Sequence, residues 1–130
     1  MFSIVVGVFC ILHGLVHLLY AGQARRFFAL KPGMVWPDGS WVFSKILGDA
    51  NTRSAAFFML GLAAIGFVVC GLGLLFRAEW WRVLAVVSCV LSTLVFLLLW
   101  DGKLRGLDEQ GGVGILINSA ILALVYLLKW

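Results

Sequence analysis

Two histidines stand inside an apolar run, Ile11-Leu12-His13-Gly14-Leu15-Val16-His17-Leu18. The i, i+4 spacing puts both imidazoles on one face of a helix. That arrangement opens four kinds of chemistry. Two rings one turn apart can hold a divalent metal in adjacent coordination positions, with Asp49 or Asp101 as third ligand and one position open. Each ring could instead ligate a haem or chlorophyll-like macrocycle, although one helix cannot clamp a single haem from both faces. A neutral imidazole can donate to or accept from a quinone or another polar-headed lipid. Histidine also titrates near physiological pH, as a proton relay requires. Against these stands a purely structural use, in which each ring bonds Ser, Thr, Asn or a carbonyl across a bundle and sets helix register.

The surroundings of the pair define the solvent. The chain has 130 residues, of which 63% are hydrophobic and 12% charged, with a mean hydropathy of +1.08. A soluble domain carries about 25% charged residues, so this chain has too few charges to coat a water-facing surface. The membrane class follows, and an ionisable side chain inside a membrane span marks a functional site by default. The net charge of +4 is spread over loops without a basic block. It favours anionic lipid headgroups and gives no nucleic-acid footprint. Cys10, Cys70 and Cys89 all fall in apolar runs without a Cys-x-x-Cys spacing, which reads as neither a disulfide framework nor a zinc ribbon.

A span needs about 20 predominantly apolar residues. Four stretches qualify: 2–20, 54–76, 83–100 and 113–128. Helices are expected, since backbone groups in lipid must be satisfied within the segment. The fold expected is therefore an all-α integral membrane protein, a single four-transmembrane-helix up-and-down bundle. Met1-Phe2-Ser3-Ile4 lacks the positive start of a secretion signal, so the first run reads as a permanent span. Loops one and three carry seven of the ten Lys and Arg residues, Lys129 ending the chain on the other side. The positive-inside rule then puts those loops in the cytoplasm and both termini outside, in a bacterial-type inner (plasma) membrane. Trp36, Trp41, Trp80, Trp81, Trp100 and Trp130 lie near span ends or in the first loop, where interfacial anchoring accounts for them.

The first loop is long and predicts short interfacial helices. Residues 22–30 suit one, with Arg25 and Arg26 outward and Phe27 and Phe28 in the interface. Trp36-Pro37-Asp38-Gly39-Ser40-Trp41 reads as a tight turn, and 41–47 as a second amphipathic piece. Asp49, Asn51 or Thr52 can cap the span that follows.

The first span carries a stripe: Ser3, Gly7, Cys10, His13, Gly14, His17 and Tyr20 recur at intervals of three and four. Such a stripe of small and polar residues should face other helices. Partners are available as Ser88, Cys89, Ser92 and Thr93 on the third span, Gly114, Asn118 and Ser119 on the fourth, and a run of glycines on the second. Helix parity tests whether they meet. At about 1.5 Å per residue, His13 lies ~3 Å, His17 ~9 Å and Asn118 ~4 Å from mid-span, all toward loops one and three. Asp49 and Asp101 lie at that same boundary. A pocket could thus gather His13, His17, Asn118 and one or both carboxylates.

The run Val6-Gly7-Val8-Phe9-Cys10-Ile11-Leu12-His13-Gly14-Leu15 is similar to the first helix of the DoxX-like family of small four-span membrane proteins. The resemblance covers about the first twenty residues, together with the general plan of four short spans. It implies a link to membrane redox systems, including subunits of quinol oxidases. The leading expectation is a non-enzymatic subunit or accessory of a larger membrane assembly, or a homo-oligomer, with a lipid- or quinone-contacting seam at His13 and His17 supported by Cys10, Tyr20, Ser92 and Thr93. The rival is a small redox protein or enzyme that uses the two histidines on a metal or macrocycle. A transporter is the weaker third, since no broken helix or inverted repeat is evident.

Overall fold

The computed structural model describes residues 2–104 and 107–128. The expectations for Arg105, Lys129 and Trp130 lie outside the described residues. Five α-helices follow in order: α1 (Phe2–Ala24), α2 (Phe43–Leu47), α3 (Asp49–Leu75), α4 (Trp81–Leu99) and α5 (Val113–Leu128). There is no strand among the described residues. Among the described residues four helical stretches are long and apolar enough to cross a membrane: α1, α3, α4 and Gln110–Leu127, which joins the turn before α5 to that helix. Large apolar side chains such as Val5, Leu12, Phe58, Leu62, Val83 and Leu116 cover their outer faces.

The long helices run antiparallel in sequence. Gly7 lies against Gly71, and Gly14 against the carbonyl of Ala64. Glycine is required there: a Cβ on Gly71 would stand 2.5 Å from the Gly7 carbonyl oxygen, and one on Gly14 would stand 2.9 Å from that of Ala64. Small residues thus let α1 and α3 approach backbone to backbone. α4 packs on α3 through Gly66 and Ser88, and α5 returns beside α4, with Gly114 against Phe96.

The core is layered. One apolar cluster, with Cys10, Phe67, Cys70, Trp81, Cys89 and Ile121, lies toward the α3–α4 turn. A second, with Ala21, Trp36, Leu60, Val95, Phe96 and Leu99, lies toward the first loop. All three cysteines are buried free thiols. His13, His17, Ser92 and Asn118 form a buried polar layer between the two clusters.

The span boundaries shift from the sequence reading. α1 continues to Ala24, about a turn past its expected end, and α3 starts at Asp49, more than a turn before its expected start. The interfacial helix expected over residues 22–30 is absent. α1 instead ends with Arg26 at φ 60°. The Phe27 amide donates to the Gly22 carbonyl and the Arg26 amide to that of Gln23, a Schellman ending with Arg where glycine is usual. α3 stops the same way at Arg77, φ 58°. Of the second amphipathic piece, Phe43–Leu47 is helical. The tight turn forms at Trp36–Gly39, where the Trp36–Pro37 peptide is cis. The cap on α3 also differs. Gly48 occupies the cap position, and the Thr52 hydroxyl donates to its carbonyl at 2.7 Å.

Candidate functional site

The stripe on α1 faces inward as its spacing implies: Gly7, Cys10, His13, Gly14 and His17 are all buried. His13 is 4% and His17 1% exposed. Each ring meets the other helices through named partners. His13 Nε2 is 2.7 Å from Asn118 Oδ1. His17 Nε2 is 2.6 Å from Ser92 Oγ, and His17 Nδ1 is 2.8 Å from the His13 carbonyl oxygen. Asn118 Nδ2 donates to Ser92 Oγ at 2.9 Å and to Thr93 Oγ1 at 3.2 Å.

These distances allow one consistent assignment of protons. A carbonyl only accepts, so His17 carries its proton on Nδ1 and its Nε2 accepts from the Ser92 hydroxyl. Ser92, having donated, accepts from Asn118. The Asn118 carboxamide spends both N–H groups on hydroxyls, and its oxygen accepts from His13 Nε2–H. In that assignment both imidazoles are neutral, and both nitrogens of His17 and Nε2 of His13 are hydrogen-bonded. This matters because an unpartnered buried polar group costs about 1–3 kcal/mol.

The packing closes the space around the rings. Phe67 from α3 lies 4.7 Å from the His13 ring and 5.1 Å from that of His17, between centroids. Phe96 from α4 lies 5.5 Å from His17. The space beside His17, expected to receive a quinone head, is filled by Phe67, Phe96 and Ser92. Tyr20 belongs to the next layer, with its ring 5.3 Å from Trp36 and 5.2 Å from Phe96. Cys10 lies in the apolar cluster on the other side.

The carboxylates do not join the histidines, a correction to the expected pocket. Asp49 Oδ1 accepts from Ser44 Oγ at 2.6 Å and from the Gly39 amide at 3.1 Å. Asp101 accepts from the Lys103 amide at 2.9 Å and from Gln110 Nε2 at 3.0 Å. The reason is helix length. Phe67 marks the histidine level on α3, and Asp49 precedes it by eighteen residues, about 27 Å along the axis. Asp101 follows Ser92 by nine residues, about 14 Å at helical rise, and lies past the end of α4. Among the described residues, no group of three His, Cys, Asp or Glu side chains is placed to hold a metal ion. Both nitrogens of His17 are already engaged.

A second polar centre organises the first loop. Gln23 is fully buried. Its Nε2 donates to the carbonyls of Met34 and Trp36 at 3.1 and 3.3 Å, and its Oε1 accepts from the Leu30 amide at 2.8 Å. The Arg26 guanidinium donates to the carbonyls of Gln23, Val35 and Trp36 and pairs with Asp38 at 3.1 Å. Arg53 of α3 grips Asp38 with two hydrogen bonds. This loop carries Trp36 into the core at 3% exposure. Trp36 is thus no interfacial anchor, and neither is Trp81, at 5%. Trp41 and Trp80 are half-exposed, as anchors would be. The Trp36 indole nitrogen is buried without a partner among the described residues. One sequence signal was available for this centre: a glutamine and two arginines directly after an apolar span. Their partners are backbone carbonyls, which no residue pattern identifies.

No family model, curated protein or solved structure matches this chain.

Proposed function

We propose that this chain is an integral membrane protein without catalytic activity, a small subunit or accessory of a larger membrane assembly. The observation that carries this reading is the closed network of His13, His17, Ser92 and Asn118. Its hydrogen bonds join α1, α4 and α5 inside a bundle whose outer faces are apolar. In lipid, apolar packing alone gives helices little reason to prefer one register, so buried hydrogen bonds and close-packed small residues select it. The seam is then a structural lock, and the protein works through the surfaces it presents. The similarity of residues 6–15 to the DoxX-like first helix supports a redox assembly as the setting. The charge distribution supports loops one and three in the cytoplasm. Metal or macrocycle ligation by His17 would first have to displace Ser92 or the His13 carbonyl.

The test is extraction of the tagged chain from its native membranes in mild detergent. Co-migration with other chains, well above its own 14.3 kDa, is expected. A chain running as a monomer would remove the subunit reading. A bound metal or a visible-range chromophore, lost in His13→Ala or His17→Ala, would replace it with the redox reading.

A further inference from the structure

The turn between α3 and α4 borders a cavity of about 270 Å³. That is room for far more than one water, whose share of the liquid is about 30 Å³. Arg77, Glu79 and Arg82 stand in its walls, beside the apolar Leu74 and Trp81. Arg77 ends α3 at φ 58°, as Arg26 ends α1 at φ 60°. The two side chains are used differently. The Arg26 guanidinium is spent on three carbonyls and on Asp38. That of Arg77 makes no hydrogen bond or ion pair among the described residues.

Arg82 stands in the first turn of α4, its guanidinium 5.2 Å from the centre of the Trp81 ring. Stacking occupies the flat face of a guanidinium and leaves its in-plane N–H groups free to donate. The start of α4 adds to the same charge. Trp80 at its cap position makes no side-chain hydrogen bond to it, and no acid lies in its first turn. The amides there carry a partial positive charge, which Arg82 reinforces and an anion would offset. Glu79 is the one carboxylate in the cavity wall, and among the described residues it pairs with neither arginine. Two planar guanidiniums with N–H groups in hand suit a phosphate, whose oxygens accept in pairs. The depth selects the source. α3 and α4 are long and apolar enough to cross a bilayer, so the turn that joins them lies among headgroups. Leu74 and Trp81 give the same cavity an apolar wall for the glycerol and first acyl carbons of a lipid.

We propose that this cavity binds the headgroup phosphate of an anionic phospholipid between Arg77 and Arg82. Its surplus of positive charge favours an anionic lipid over a zwitterionic one. The inference rests on the membrane reading above and not on the subunit reading. The test is native mass spectrometry of the full chain in mild detergent, titrated with phosphatidylglycerol, with phosphatidylcholine of identical acyl chains, and with inorganic phosphate. Phosphatidylglycerol should be retained about tenfold over phosphatidylcholine, the scale of one hydrogen bond between charged groups, and more strongly than inorganic phosphate. Arg77→Gly suits the positive φ while removing the side chain, so it tests binding without straining the turn. It and Arg82→Gln should each lower retention of phosphatidylglycerol about tenfold. Arg25→Gln removes the same charge at the other end of the bundle, where Arg25 bonds Ser54, and should leave retention unchanged. An equal loss in all three variants reports net charge alone and overturns the site. Equal retention of the two lipids, or a preference that survives both Arg77→Gly and Arg82→Gln, overturns it as well. Inorganic phosphate held as strongly as the lipid overturns the lipid as its source. These outcomes leave the membrane reading standing in a protein that needs detergent. A chain soluble without detergent overturns that reading itself, and this inference with it.

Discussion

Asn118 is the side chain on which three helices converge. It accepts from α1 through His13 and donates to α4 through Ser92 and Thr93. Asn118→Leu keeps an apolar body of similar size but strands the His13 N–H and loosens Ser92. A loss of about 1–3 kcal/mol is expected, from the desolvation of a donor left unpaired. Reversible unfolding in mixed micelles measures it. Ser92→Ala should cost less, near the ~0.6 kcal/mol average for hydrogen bonds between membrane helices, because His17 keeps its bond to the His13 carbonyl. Trp36 presents the opposite case. Its indole N–H is buried with no acceptor among the described residues, while its ring packs on Tyr20 and Phe96. Trp36→Phe keeps an aromatic ring and removes the stranded donor, so stability should hold or rise by up to about 1 kcal/mol. A clear fall in the same unfolding assay would show that the N–H has an acceptor in the membrane.

At the scale of elements, α1 and α3 form the closest pair, and glycine sets their distance. Gly71→Leu would drive a side chain into the Gly7 carbonyl and Ile11. Overpacking of this kind costs about 1–3 kcal/mol. Gly61 is the internal comparison, since a Cβ there meets nothing within 4 Å. Gly61→Ala should therefore be neutral or stabilising by up to about 1 kcal/mol, through helix propensity. If both substitutions behave alike, close approach at Gly71 is not what holds the pair. The first loop is anchored separately. Asp38 ties Arg26 at the end of α1 to Arg53 near the start of α3. Asp38→Asn should speed amide exchange across residues 27–40 while leaving the middle of α1 and α3 protected. Peptide-level exchange mass spectrometry reads both regions at once.

For the whole molecule, the physical frame is a layered core inside an apolar shell. The polar layer sits mid-bundle, where water is least available to replace a lost bond. The apolar clusters on either side hold it there. The expected orientation is tested in a background where Cys10, Cys70 and Cys89 are replaced. A single cysteine at Gly39, in the first loop, should react with a membrane-impermeant maleimide only from the cytoplasmic face. One at Ala78, between α3 and α4, should react only from outside. The reverse pattern would invert the topology without touching the bundle.

Much of this was legible in the chain itself. Long apolar runs define four rods, and a three-four spacing turns His13 and His17 to one face whatever surrounds them. Helix parity alone puts Asn118 at the depth of His13, and the two do meet. These are consequences of local geometry, a constant rise and a constant turn per residue. What only the tertiary structure decided is where partners are distant and pattern-free. Asp49 and Asp101 share a boundary with each other but not a level with the histidines, because α3 begins more than a turn early and α4 ends before Asp101. Trp36 turns inward because Gln23 and Arg26 bind backbone carbonyls of the loop that carries it. The protons of the seam are assigned by four side chains on three helices taken together, since each hydrogen bond there fixes what the next atom has left to give.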